Sequence, residues 1–400
     1  MNNRKAIAFY LPQFHSIAEN DKWWGKGFTE WDNVKKAQPL FKEHNQPNVP
    51  LNNNYYCLLD KDTLKWQVDL AKTYHIYGFC FYHYWFKNGK KLLEKPVEMF
   101  LNNKDLDIHF CLSWANEAWA KTWDGGHSAK KNEILMEQEY GDEQEWEKHF
   151  YYLLPFFKDK RYICMDNKPV MIIYKPNLIK NISKMIQLWK KLGRENGIED
   201  IIFMYQSPEG YFDGFAGEDE FNYLIRYEPL FSGYVKNRET FLEAKRNRAI
   251  FNGKNYCAKY CISFKRNLKK KYIAMRSIAS KFIKKEKKRY SGLRILDYDE
   301  RWKRIIKAQK ECQDSRIIPG GFVAWDNTPR KRNGIVYKGA TPKKFEKYLK
   351  ELITVSTYDQ SNLLFINAWN EWAEGAYLEP DEKNRFGYLE TVQRIFDREE

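Results

Sequence analysis

Eight short apolar or aromatic runs recur along the chain, and longer amphipathic stretches separate them. Most of the runs are continuously apolar, which is typical of parallel strands that are covered on both faces. Eight strands alternating with helices predict an α/β fold of the (β/α)8 TIM-barrel type. A doubly wound open sheet is the alternative, but no glycine-rich phosphate loop follows any of the runs. The predicted strands are Ala6–Tyr10, Gly78–Trp85, Ile108–Trp114, Pro169–Tyr174, Ile201–Tyr205, Phe221–Ile225, Gly321–Trp325 and Leu363–Trp369.

Helical periodicity occupies the intervals between these strands. In the stretch Thr63–Tyr74, four apolar residues recur at steps of three and four and form one stripe. The other predicted helices are Glu143–Phe157, Lys184–Glu195, Asp299–Cys312, Pro342–Leu352 and Tyr388–Phe396. We therefore expect residues 1–400 to form a single catalytic barrel.

The formal net charge of +15 is concentrated in one segment. Residues 236–294 carry 20 Lys and Arg against three acidic residues, which leaves the rest of the chain close to neutral. From Phe264 to Ile283, apolar residues recur at helical steps with Lys and Arg largely between them, which predicts a basic amphipathic helix. We interpret residues 231–294 as a largely helical insertion between strands six and seven. It either packs on the barrel or lies on an anionic membrane surface; nucleic-acid binding is not expected, because glycine-interleaved stacking aromatics are not evident.

Aromatic and polar residues cluster just after the predicted strands, where the loops of a barrel form its active site. Aromatic rings stack on the C–H faces of sugars, and polar side chains pair with the hydroxyls, so the pattern predicts a sugar-binding pocket. For any single tryptophan the alternative is simple filling of the barrel, and for Glu117 and Asp326 it is an ion pair. The candidate substrate-binding residues are His15, Glu30, Trp31, Tyr82, His83, Trp114, Asn116, Glu117, Trp325, Asp326, Asn327, Trp369 and Asn370.

Two glutamates three residues apart, Glu371 and Glu374, follow the last predicted strand. At the start of a helix such a pair shares one face, with Cβ atoms ~5–6 Å apart. Retaining glycosidases need two carboxyl groups ~5–5.5 Å apart, and mutual repulsion keeps one of them protonated as an acid. An acidic first turn favoured by the helix dipole is the alternative. The neighbouring Trp369 and Asn370 favour a catalytic pair. No metal-ligand spacing and no GxSxG elbow is present, so we expect neither a metal nor a cofactor.

Seven segments of the chain match a known family. They are AIAFYLPQFH, WWGKGFTEW, YGFCFYHYWF, FCLSWANEAW, NKPVMIIY, GFVAWDNTPRK and LFINAWNEWAEGAYLEPD, and they extend from residue 6 to residue 381. With them the chain resembles the WbsX-type proteins of bacterial polysaccharide clusters, which are similar to the endo-α-mannosidases of glycoside hydrolase family 99. The resemblance implies a (β/α)8 barrel, in agreement with the strand pattern.

The resemblance also implies roles for two residues. Glu371 would act as base on the sugar 2-hydroxyl, so that O2 attacks C1 and a 1,2-anhydro intermediate forms. Glu374 would protonate the leaving oxygen and then deprotonate the acceptor, with net retention. Ala373 stands where the endo-α-mannosidases carry a histidine, so the substrate linkage is not transferred.

Three functions are compatible with these residues. We expect glycosyl transfer to an oligosaccharide or lipid-linked sugar in surface-polysaccharide assembly, with hydrolysis of an α-linked glycan in the same pocket as the alternative. A non-catalytic sugar-binding protein would need the aromatics but not two close carboxylates. No secretory signal is recognisable, so we expect a cytoplasmic protein, peripheral on the inner face of the membrane through residues 236–294.

Overall fold

A computed structural model describes residues 4–120, 133–207, 215–233, 292–331 and 333–397. It confirms the TIM-type barrel: the strands form one parallel sheet in sequence order, and the last strand pairs with the first. The strands are β1 (Lys5–Tyr10), β2 (Gly78–Trp85), β3 (His109–Trp114), β4 (Lys168–Ile173), β5 (Ile202–Ser207), β6 (Tyr223–Arg226), β7 (Ile317–Ile318 and Gly320–Phe322) and β8 (Leu363–Asn367). All eight residues of β2 are buried, as expected for a strand covered on both faces.

Strand β7 is split at Pro319, because proline has no N–H to donate to a sheet. The segment Ile317–Ile318 pairs with β6, and the segment Gly320–Phe322 pairs with β8. A Cβ on Gly320 would lie 1.8 Å from the carbonyl oxygen of Arg226, so only glycine fits where the two strands approach. The predicted seventh strand, Gly321–Trp325, was therefore placed too far along the chain.

Helices cover the outside of the barrel, and all six predicted helices form with ends within three residues of the expected positions. The α-helices are Ala18–Trp24, Glu30–Lys35, Lys61–Thr73, Lys95–Asn102, Glu143–Phe157, Ile182–Glu195, Tyr298–Lys310, Pro342–Val355 and Gly387–Phe396. Short 3-10 turns are Leu51–Asn53, Lys87–Gly89, Pro176–Leu178, Glu218–Glu220 and Trp372–Glu374. Short strands outside the barrel are Lys91–Leu92, Trp119–Ala120, Ile134–Met136, Cys164–Met165, Arg294–Asp297, Ile335–Lys338, Asn370–Glu371 and Ala376–Tyr377.

Most of the predicted basic insertion, including its helix at residues 264–283, lies outside the described residues. One described flank is the helical stretch at residues 230–233, shortly after β6. The other is the strand Arg294–Asp297, which pairs in parallel with Ile335–Lys338. Among the residues that the structure does describe, no helix combines the length and apolarity needed to cross a bilayer.

Candidate active site

A cavity of about 460 Å³ opens where the barrel strands end. Its walls come mainly from the ends of β1, β2 and β3 and from the segments that follow β7 and β8, the side of such a barrel that carries active sites. Five lining side chains are charged: Glu117, Arg330, Lys331, Glu371 and Glu374. Eight are aromatic: Trp23, Trp24, Tyr82, Tyr84, Trp119, Tyr174, Tyr227 and Trp325. Aromatic faces beside converging polar groups suit a sugar ring.

A 3-10 turn after β8 brings the two glutamates to one face. The turn spans Trp372–Glu374, and Glu371 immediately precedes it. Because residues three apart eclipse in this geometry, Glu371 and Glu374 project to the same side, and both line the cavity. Gly375 ends the turn at a φ of 60°, and a Cβ there would lie 3.0 Å from the backbone nitrogen of Asp326. The sequence predicted the start of an α-helix here; the structure has a single 3-10 turn.

A buried arginine from the loop after β7 joins these glutamates. Nη1 of Arg330 donates to Oε1 of Glu374 at 2.6 Å, and Nη2 donates to Oε2 of Glu371 at 3.2 Å. Nε of Arg330 donates to Oε2 of Glu30 at 3.1 Å. Glu30 is 1% exposed and lies behind the arginine, away from the cavity wall. One guanidinium therefore pairs with three carboxyl groups.

Burial keeps a proton on this cluster. It raises the pKa of Glu371 to about 8; Arg330 opposes that rise, and the negative charges of Glu374 and Glu30 add to it. Burial also raises the pKa of Glu30 above its ordinary value. Burial therefore favours the protonated form of Glu371, while Glu374 forms the shortest ion pair of the three with Arg330. The site can both give and take a proton, which acid–base catalysis requires.

Three buried tyrosines lie near Glu371. The hydroxyl of Tyr82 donates to that of Tyr227 at 3.1 Å, and Nε2 of Gln13 donates to the hydroxyl of Tyr84 at 3.2 Å. Burial raises the pKa of all three phenols, so they stay neutral and can donate to a sugar hydroxyl or accept from one.

Six residues that the sequence singled out line the cavity: Tyr82, Glu117, Trp325, Asn327, Glu371 and Glu374. Oε1 of Glu117 lies 2.8 Å from Nζ of Lys175, so Glu117 has an ion-pair partner and still lines the cavity. Oδ1 of Asn327 accepts from the backbone nitrogen of Ile335 at 2.7 Å and so closes the loop that carries Arg330. Their roles in binding substrate stay predictions.

The other nine lie outside the cavity wall: His15, Glu30, Trp31, His83, Trp114, Asn116, Asp326, Trp369 and Asn370. Two of them cross-link loops through their amide groups. Asn370 donates to the carbonyl of Leu11 at 3.0 Å and accepts from its N–H at 2.7 Å, which ties the end of β8 to the end of β1. Asn116 makes the same pair of bonds with the backbone of Lys175, both at 2.8 Å.

The sequence predicted that Asp326 faces the cleft that contains Glu371, but in the structure it does not. Its Oδ2 accepts from Nε2 of His44 at 2.7 Å and from Nε2 of Gln46 at 2.6 Å. Its Oδ1 accepts from the hydroxyl of Thr328 at 2.6 Å. The partners on the loop before residue 50 turn this carboxylate away from the cavity, and no ion pair with Lys or Arg is needed to satisfy it.

The predicted histidines and three of the tryptophans belong to the core. Nε2 of His83 lies 2.8 Å from Nε2 of His149, and burial lowers the pKa of His83 to about 3. Burial likewise lowers the pKa of His15 to about 4, so neither ring carries charge at neutral pH. The tryptophans that fill the core are Trp31, Trp114 and Trp369. Within the described ranges, no three His, Cys, Asp or Glu side chains converge as a metal site would require.

Four residues that complete the site were not among the candidates predicted from the sequence: Gln13, Tyr84, Tyr227 and Arg330. A signal for Arg330 was present, because a cluster of buried acids needs a cation and the GFVAWDNTPRK segment supplies one after strand seven. Tyr84 lies two residues after Tyr82 on β2, so it shares the same face of that strand.

Comparisons with known proteins identify a family and a shared fold. The family model described as glycosyltransferase WbsX matches residues 6–392. The uncharacterized protein WxcX of Xanthomonas campestris pv. campestris is 30% identical over 403 residues in each of two strains, covering 98% of this chain. The chain spans 49% of the length of these relatives.

Two solved structures share the fold. The endo-α-mannosidase of glycoside hydrolase family 99 from Bacteroides thetaiotaomicron is 12% identical, with a TM-score of 0.51 over 99% of this chain and 97% of its own. A glycoside hydrolase-like protein is also 12% identical, with a TM-score of 0.56 over 100% of this chain and 95% of its own. At this identity the likeness concerns the fold alone.

Proposed function

The chain belongs to the WbsX glycosyltransferase family, and we propose that it transfers glycosyl groups in bacterial surface-polysaccharide assembly, using Glu371 and Glu374 as a retaining pair. Family and fold indicate a carbohydrate-active enzyme. The observation that carries the finer proposal is that Glu371 and Glu374 share one guanidinium, in a cavity walled by aromatic rings.

The pair supplies both proton transfers of a retaining reaction. In the first step a carboxylate takes the proton of the sugar 2-hydroxyl and O2 bonds to C1, while the bond from C1 to the leaving oxygen breaks and that oxygen receives a proton from the carboxylic acid. In the second step the acceptor hydroxyl gives its proton to the former acid and its oxygen bonds to C1, while the bond from C1 to O2 breaks and O2 recovers the proton that the first carboxylate took. Two inversions at C1 give net retention, and one proton on the pair is enough for the cycle.

Burial favours a protonated Glu371 in the free protein, whereas the roles implied by the endo-α-mannosidases start with the proton on Glu374. A glycosyl fluoride separates the two assignments, because fluoride leaves without full protonation. The variant that lacks the acid keeps much of its turnover of the fluoride, and the variant that lacks the base loses it. Greater retention by Glu371→Gln assigns the acid to Glu371, and greater retention by Glu374→Gln supports the family roles.

Hydrolysis is the second candidate, and the fold shared with the Bacteroides endo-α-mannosidase favours it. The two functions differ only in what accepts the glycosyl group at C1. Incubation with lipid-linked oligosaccharide distinguishes them by mass spectrometry: transfer gives lipid-linked products that have gained sugar, and hydrolysis gives released sugar alone. A sugar-binding protein gives neither, and the close glutamate pair argues against that function.

The basic segment 236–294 supports a location at an anionic membrane surface. Its charge would attract acidic headgroups, at ~1 kcal/mol for each Lys or Arg near the surface. Of its described flanks, Gly233 follows β6 and Arg294 precedes β7. Gly292 lies beside Asn333, which belongs to the loop that carries Arg330. Both flanks lie on the side of the barrel where the cavity opens, which supports a membrane contact there, within reach of lipid-linked sugars.

A further inference from the structure

Three carboxyl groups share one arginine at the base of the cavity, but only two of them line it. The third, Glu30, is buried behind Arg330 and contacts the guanidinium on its far edge. We propose that Glu30 and Arg330 form a positioning pair, in which Glu30 fixes the guanidinium and Arg330 holds Glu371 and Glu374 with a single proton between them. This proposal deepens the proposed function and rests on it for its catalytic meaning.

The geometry of the guanidinium explains why two residues are needed. Oε2 of Glu30 lies 3.1 Å from both Nε and Nη2 of Arg330, so it occupies that edge of the planar group. The remaining donor directions on Nη1 and Nη2 then point to Glu374 and Glu371. Because the five N–H donors are fixed in one plane, holding one edge orients the other. A lysine would supply the charge without this orientation.

The number of acidic groups around one guanidinium explains why the cluster retains a proton. Three ionised carboxylates and one guanidinium would leave two uncompensated negative charges in a buried cluster, which is strongly unfavourable. The cluster reduces this cost by keeping a proton. The other titratable groups near Glu371 are the phenols of Tyr82, Tyr84 and Tyr227, which stay neutral.

Substitutions at the two positions are expected to act in opposite directions. Glu30→Gln removes a negative charge, so that the charge of Arg330 compensates two carboxyl groups instead of three. The pH midpoint at which Glu371 ionises therefore falls by about one pH unit or more. Arg330→Gln removes the compensating cation, so the midpoint rises. Arg330→Lys keeps the positive charge but loses the planar set of N–H donors. We expect the midpoint of Glu371 ionisation to stay closer to that of the wild type, while the catalytic rate falls.

The test is carbon NMR of protein labelled at the glutamate carboxyl carbons, titrated across neutral pH, with the Glu371 signal assigned by its loss in Glu371→Gln. The matched control is Glu98→Gln, because Glu98 pairs with Lys91 and does not contact Arg330. Shifts of opposite sign in Glu30→Gln and Arg330→Gln, with none in the control, support the proposal. An unchanged or raised midpoint in Glu30→Gln overturns it.

Two features keep the result decisive. If Arg330→Gln does not fold, Glu30→Gln still gives the sign of the shift in the Glu371 midpoint, and Arg330→Lys still gives the effect of losing the planar guanidinium. The titration needs no substrate, so it is independent of the proposed function. If the Glu371 midpoint shifts as expected but the protein neither transfers nor hydrolyses sugar, only the proposed function is contradicted. If the enzyme is active but the midpoint does not shift in the variants, only the positioning pair is contradicted.

Discussion

Glu379 is a buried carboxyl group bonded to the 3-10 turn Trp372–Glu374, and we expect it to make the stability of the protein depend on pH. It accepts hydrogen bonds from Nε1 of Trp372 at 2.6 Å, from the hydroxyl of Tyr56 at 2.8 Å and from Nε2 of Gln67 at 2.7 Å. Trp372 lies between the two glutamates of the pair in the sequence, so Glu379 anchors the turn that presents them.

Burial raises the pKa of Glu379 from 4.5 to about 7, against these hydrogen bonds. The folded state therefore holds a proton that the unfolded chain releases at lower pH. The contribution to stability is complete below about pH 4.5 and is lost as the pH rises to about 7. At about 1.4 kcal/mol for each pH unit, the loss is roughly 3 kcal/mol. Glu371 adds a loss of the same sign that continues to about pH 8.

We predict that Glu379→Gln flattens this dependence. The variant is less stable than the wild type at low pH, because an amide presents one acceptor oxygen where the carboxyl group presents two. The difference between the two proteins shrinks, or reverses, as the pH rises through 7, by roughly 3 kcal/mol. The assay is urea denaturation followed by tryptophan fluorescence at several pH values, with Glu98→Gln as the control. An equal pH dependence of stability in wild type and Glu379→Gln would show that Glu379 does not hold this proton in the folded state.

Three further predictions concern the cavity, its supporting loop and the basic segment. Glu117→Gln is expected to raise KM with little change in kcat, since Glu117 lines the cavity away from the guanidinium; a fall in kcat with KM unchanged would contradict this. Asp326→Asn is expected to lower the free energy of unfolding by about 1–3 kcal/mol, because an amide cannot satisfy His44, Gln46 and Thr328 together; unchanged stability in urea denaturation would contradict this. Deleting residues 236–291, which spares the strand from Arg294, is expected to abolish co-sedimentation with anionic liposomes. Binding of the full chain should fall as salt rises, and equal pelleting with neutral liposomes would contradict the electrostatic account.

The strands of the barrel other than β7 could be predicted because each carries its own apolar signal. The run Gly78–Trp85 is apolar throughout, and it is buried throughout. Strand β7 was misplaced because its sequence, with Pro319 and two glycines, lacks the apolar run that marked the others. There the close approach of β6 to Gly320 decided the structure, and that contact joins residues 94 positions apart.

The site could be predicted only as far as the strand ends. The direction in which a side chain leaves a loop depends on partners far along the chain, and no local pattern records them. Asp326 is turned away by His44 and Gln46, 282 and 280 residues earlier. Arg330 meets Glu30 across 300 residues. The glutamate pair was found because its three-residue spacing is local and places both groups on one face in an α-helix and in a 3-10 turn alike.

The most direct test of the catalytic pair compares wild type, Glu371→Gln and Glu374→Gln with lipid-linked oligosaccharide as both donor and acceptor. Mass spectrometry follows the lipid-linked products over time, and circular dichroism confirms that each variant is folded. We expect the wild type to form products that have gained sugar and each variant to lose at least about 10²-fold in rate. Folded variants that both turn over at the wild-type rate would contradict this expectation.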